Sequence, residues 1–213
     1  MISKPSSLRT RLTPIATGLC TIYLACMVLG ILAGKANLAK VNRNQQQEVK
    51  LEKLLGKFRQ PLREGSVGTI ATVALIVFAV NLFADVTGFS LPGVLVIPAF
   101  AWLGYNGWLI GVGLGMAKAS SVVSIIWFLA MASIEWIIYV LAGTVGVHAG
   151  LAVLRPSRMG ESSRWRAFVR ACRDGARVYV VIIVLLLVQA VGEVFYVRQV
   201  LLHGHSAIPL EPY

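Results

Sequence analysis

The chain has 213 residues, 57% of them hydrophobic and only 14% charged, with a formal net charge of +11. Soluble domains carry about 25% charged residues, so this composition excludes an ordinary water-soluble globule. The basic excess flanks apolar runs and lacks interleaved aromatic stacking platforms, which argues for anionic lipid head groups and against nucleic acid.

The first apolar run, Pro14–Ala33, holds no charge, and Lys4, Arg9 and Arg11 precede it. Its core is longer than the roughly 7–15 residues of a secretory signal. It therefore reads as an uncleaved first span, about residues 14–33. Cys20, Cys26 and Cys172 show neither a disulfide framework nor a zinc spacing.

A basic stretch comes next, and within it "QQQEVKLEKLLGKFRQPLREG" sets apolar residues at near-helical spacing opposite Lys and Glu. This predicts an amphipathic linker helix over about 46–63. Such a helix suits the membrane interface or a groove on a partner protein. A second span is expected over 67–84, and "DVTGFSLPG" reads as a tight link to a third over 91–117. Pro92 and Pro98 would then fall in the first turns of that third span.

The third span contains "GYNGWLIGVGLGMAKAS", in which Gly107, Gly111 and Gly115 recur every four residues. Small residues at this interval make a groove where another helix backbone approaches closely. Val112 stands beside that ridge on a face expected to meet lipid, and Asn106 could hydrogen-bond across helices.

Ala119–Leu154 is interrupted only by Glu135 and His148. As one helix this stretch would measure about 54 Å, well beyond a hydrocarbon core of about 30 Å. The expectation is a span over 121–154 that is broken or re-entrant near Glu135. A return of this kind would put both basic segments on the cytoplasmic side, as the positive-inside rule prefers, with both termini outside. Glu135 reads as a buried polar contact or a proton-handling group, since a mid-bilayer charge faces protein or an aqueous cavity. His148 is the one candidate for binding a haem or chlorophyll, though an interhelical hydrogen bond is the plainer reading. Gly143, Gly146 and Gly150 form a second small-residue face.

A last span is expected over 178–200, behind a segment with seven arginines between Arg155 and Arg177. His203 and His205 in "HGH" read as a tail, not a metal site. No phosphate loop, nucleophile elbow or zinc-protease motif occurs.

Taken in order, "LLGKFRQPL", the span carrying Asn81, "LGYNGWLIGVGLG" and the later Glu135 and Gly146 resemble the stage II sporulation protein M family over about residues 54–155. Glu135 matches the glutamate of that family's Pro-His-Gly-x-x-Glu element. Ala130, Met131 and Ala132 stand where its proline, histidine and glycine are expected. The resemblance implies a non-enzymatic membrane scaffold; the sporulation member holds together a peptidoglycan-degrading complex.

The expected fold is an all-α transmembrane helical bundle, a single membrane domain over 1–213 with five or six crossings in the cell membrane. The expected function is a scaffold or subunit of a multi-protein membrane complex, neither enzyme nor cofactor carrier. Its expected partners are anionic lipid and other membrane subunits, with a homo-oligomer left open. One alternative is a transporter or channel component that uses Glu135 and Asn106. Another is an accessory subunit of an energy-converting or pigment-protein complex that uses His148.

Overall fold

The computed structural model describes residues 8–36, 58–116 and 122–203, and all regular structure among them is helical. Helix α1 spans Leu8–Lys35. A short α2, Arg59–Glu64, ends at Gly65, whose positive φ of 78° lets its amide reach the carbonyls of Leu62 and Pro61. Helix α3, Val67–Val80, continues through a π-helical turn, Asn81–Val86, into α4, Thr87–Gly93. Helix α5 spans Ile97–Met116 and α6 spans Val122–Leu154. A 3₁₀ turn, Pro156–Met159, leads to α7, Arg164–His203. The remainder of the expected 46–63 linker helix lies outside the described residues.

Among the described residues, four helical stretches are long and apolar enough to cross a membrane: Leu8–Lys35, Val67–Leu91, Leu129–Leu154 and Arg164–Gln199. Their burial differs in kind. In the third stretch 67% of the apolar window is buried inside the bundle, against 28% or less in the others. Helix α6 is thus the central rod, and the others turn apolar side chains such as Leu32, Leu75, Phe83 and Leu187 outward.

Helix packing in lipid depends on close contact, because lipid tails are as apolar as the side chains they would replace. The glycine ridge of α5 meets α1 in parallel register. A Cβ at Gly107 would lie 2.5 Å from the Tyr23 carbonyl oxygen, and side chains at Gly111 and Gly115 would strike the carbonyls of Met27 and Ile31. Gly34 answers from α1, where a Cβ would sit 2.6 Å from the Val112 carbonyl oxygen. This approach aims glycine Cα hydrogens at carbonyl oxygens, the geometry of weak Cα–H···O bonds. Val112 is fully buried in the seam and does not face lipid.

A second seam joins α4 to α6, where a Cβ at Gly93 would lie 2.7 Å from the Cα of Gly146. Ser90 locks it: its hydroxyl donates to the Ala142 carbonyl at 3.3 Å and accepts from the Tyr179 hydroxyl at 2.5 Å. Three helices therefore meet at one small side chain. Around it lies the main core, with Leu19, Tyr23, Val86, Phe89, Leu103, Ile138, Ile182 and Leu186.

These contacts give the direction of each rod. Helices α1 and α5 run parallel, as do α4 and α6, while α6 runs antiparallel to α1 and α7. At one end Arg11 of α1 meets Asp174 of α7. At the other end Lys35 lies beside Gly115, and Arg198 beside Gly65. In their described parts, Arg155–Arg177 and Arg59–Glu64, the two basic segments thus lie at opposite ends of the bundle, where a shared side was expected.

Two further expectations are corrected. Helix α6 is unbroken at Glu135, because no proline or glycine interrupts Val122–Ala142 and the carboxylate has a donor on its own helix. The "DVTGFSLPG" segment is helical through Gly93, so Pro92 falls in the last turn of α4. The reversal occurs at residues 94–96, where Val96 adopts φ 64°, an unusual backbone for a β-branched residue.

Candidate functional site

The most concentrated polar chemistry among the described residues lies where the start of α1, the end of α6 and the start of α7 converge. Arg11 Nη2 donates to Asp174 Oδ2 at 2.9 Å, and both side chains are about nine-tenths buried. His148 Nε2 lies 3.6 Å from the same oxygen, with its own side chain 2% exposed. Arg158 Nη2 donates to the Arg11 carbonyl at 3.2 Å, and Arg11 Nη1 rests 3.9 Å from the Met159 sulfur. Arg170 Nη1 donates to the Met159 carbonyl at 2.9 Å and lies 3.4 Å from Glu161 Oε1.

Small residues allow this convergence. Ala149 and Ala152 of α6 pack against Ala167 and Ala171 of α7, with Met159 closing the cluster. Gly175, next to Asp174, brings α7 within reach of α6, since a Cβ there would lie 2.6 Å from Val145 Cγ1. A buried ion pair of this kind balances a large desolvation cost against Coulombic and hydrogen-bond gains. Its consequence is register, because an unpaired Arg11 or Asp174 would be a buried charge without compensation.

Outside this pair lies a groove of about 680 Å³ between the start of α1 and the first turns of α7. Its walls include Trp165, Arg166, Val169, Arg170, Arg173 and Arg177. Trp165 packs on Phe168 at a centroid distance of 5.9 Å.

The residues singled out from sequence fall in different places. Glu135 accepts a hydrogen bond from the Tyr139 hydroxyl one turn along α6. Its neighbour Trp136 stacks on Tyr23 of α1 at 5.8 Å. Asn106 donates to the Trp102 carbonyl of its own helix at 2.9 Å, so among the described residues its amide bonds within α5. Glu135 and His148 lie more than three turns apart on α6, so the three polar residues do not form one site. His148 belongs to the Arg11–Asp174 cluster. Gly107, Gly111 and Gly115 line the seam with α1.

Sequence reading did not single out Arg11, Asp174 or Arg158 as a unit. The only hint was an acid inside an arginine run. No sequence pattern marks a pair of α7 residues, Gln189 and Glu193, whose amide donates to the carboxylate at 2.9 Å. Among the described residues no group of three or more His, Cys, Asp or Glu is arranged to hold a metal ion.

These features define a membrane protein built from packed transmembrane helices. A family model described as stage II sporulation protein M matches residues 19–198, and the chain belongs to that family. The match takes in most of α1 and of α7 as well as the central segment. No curated protein and no solved structure matches the chain. Met131, where the family pattern has histidine, fills the space beside Gly192 of α7: a Cβ on that glycine would lie 2.5 Å from the methionine sulfur.

Proposed function

We propose that the chain is a non-enzymatic scaffold or subunit of a multi-protein complex in the cell membrane, crossing it five times. The alternation of α1, the α3–α4 rod, α5, α6 and α7 supports that count. Helix α5 has 20 residues and rises about 30 Å, the thickness of a hydrocarbon core. Five passes divide the Lys and Arg residues equally between the two sides, so charge bias alone does not orient the bundle.

The observation that carries the scaffold reading is the length of α7. Its 40 residues rise about 60 Å, twice the hydrocarbon thickness. The arginine-bearing first turns then stand beyond the apolar layer as a rigid arm, braced on α1 by the Arg11–Asp174 pair and on α6 by the alanine contact. A braced arm that projects from the membrane suits holding other subunits. Glu135, already bonded to Tyr139, fits a packing role better than an ion path.

Affinity purification of the tagged full chain in mild detergent, followed by mass spectrometry, tests this reading. Recovery of other membrane proteins in fixed ratio supports it. A chain recovered alone that drives ion flux in liposomes overturns it in favour of a transporter.

A further inference from the structure

The groove on α7 carries charge that the fold leaves uncompensated. Arg11 is neutralised by Asp174, and Arg170 is engaged by Glu161 and the Met159 carbonyl. Arg166, Arg173 and Arg177 line the same groove with no acidic partner in reach among the described residues. The spacing of Arg166, Arg170, Arg173 and Arg177 places all four on one helix face, over about 16 Å of rise.

Beyond the arginines the same face turns apolar and stays exposed. Val180, Val181, Val184, Leu187 and Val188 occupy its next turns, each 47–62% exposed. Trp165 and Val169, 69% and 43% exposed, form the apolar wall at the groove itself. A cationic cavity thus opens directly onto an outward apolar strip.

We propose that this groove is a binding site for the phosphate-bearing head group of an anionic phospholipid, with its acyl chains laid along the Val180–Val188 strip. Guanidinium forks pair bidentately with phosphate oxygens, and basic pockets beside transmembrane helices recognise such head groups. The cavity volume lies in the range of small-ligand sites, about 300–1,000 Å³. A soluble phosphate or an acidic protein segment would use the arginines alone, whereas a phospholipid engages both the arginines and the apolar strip that continues their face. The proposal does not rest on the scaffold reading.

The test titrates purified full-length chain in neutral detergent with phosphatidylglycerol, phosphatidylcholine or inorganic phosphate, and reads thermal stabilisation. Phosphatidylglycerol should stabilise saturably, and the other two should have little effect. The variant R166Q/R173Q/R177Q should bind phosphatidylglycerol about a hundredfold more weakly, given about 1 kcal/mol per basic residue near the surface. R155Q/R164Q removes charge from the same segment outside the groove and should bind as wild type. R166K/R173K/R177K keeps the charge and the fold, and should fall between the two. Equal stabilisation by phosphatidylcholine, or equal loss in R155Q/R164Q, overturns the proposal. Full stabilisation by inorganic phosphate overturns it in favour of a soluble anion. Displacement of bound phosphatidylglycerol by a poly-glutamate peptide at lower concentration overturns it in favour of an acidic protein partner.

Discussion

Arg11 and Asp174, 163 residues apart in the chain, meet at 2.9 Å inside the bundle. The pair joins the start of α1 to the start of α7 while His148 of α6 stands beside it. Three helix ends are thereby held in one register.

Removing one partner should be far worse than removing both. Asp174→Leu leaves Arg11 as a buried unpaired charge and should destabilise the protein by about 3–5 kcal/mol. Arg11→Met combined with Asp174→Leu should recover most of that loss. Thermal unfolding of the three proteins in detergent reads the difference, and a double variant no better than the single would refute the coupling.

The α1–α5 seam makes a sharper forecast. Gly111→Ala pushes a methyl group into the Met27 carbonyl, and Gly34→Ala does the same at Val112. Both should lower stability by about 1–3 kcal/mol, the usual cost of overpacking. Gly88→Ala meets nothing within 4 Å and should be neutral or gain up to about 1 kcal/mol, since glycine is poorly suited to a helix interior. Because Val112 is fully buried, Val112→Leu should also be harmful and is no lipid-facing control. Matching melting temperatures for Gly111→Ala and Gly88→Ala would remove the seam from the account.

Glu135 separates the two readings of its helix. Glu135→Gln keeps an acceptor for Tyr139 and should leave stability nearly unchanged. Glu135→Leu removes that acceptor and should cost about 1–3 kcal/mol. Assembly and liposome flux measured together discriminate further. A Gln variant that assembles normally but loses a pH-dependent flux would establish a transport role.

Topology is open to direct labelling. Gln60 and Ser162 are both exposed and lie at opposite ends of the bundle. In a background lacking the three native cysteines, Gln60→Cys and Ser162→Cys should react with a membrane-impermeant thiol reagent from opposite sides. Labelling of both from one side would refute five passes.

How much of the fold is legible in the sequence depends on the range of the interaction. Uncharged runs announce membrane helices because hydrocarbon penalises each exposed charge locally, and four of those runs appear as apolar helices of crossing length. The spacing of Gly107, Gly111 and Gly115 announces a close helix contact, since every fourth residue returns to one face. It does not say that α1 is the partner, or that the two helices run parallel. The expected break at Glu135 comes from counting length against bilayer thickness. A helix has another option, which is to run on unbroken, as α6 does over Val122–Leu154.

The amino-acid sequence by itself determined an all-helical membrane protein, its apolar runs, its small-residue spacings and its family. Those are properties of composition and near-neighbour spacing. Only the tertiary structure decided that Arg11 belongs with Asp174 and His148, that the basic segments lie at opposite ends, and that four arginines share a groove with an apolar outlet. Each of these depends on which helix ends come together. That choice is made by backbone-to-backbone fit at Gly34, Gly111 and Gly146, and by close packing at Gly175, between residues too far apart in the chain for any local pattern to link.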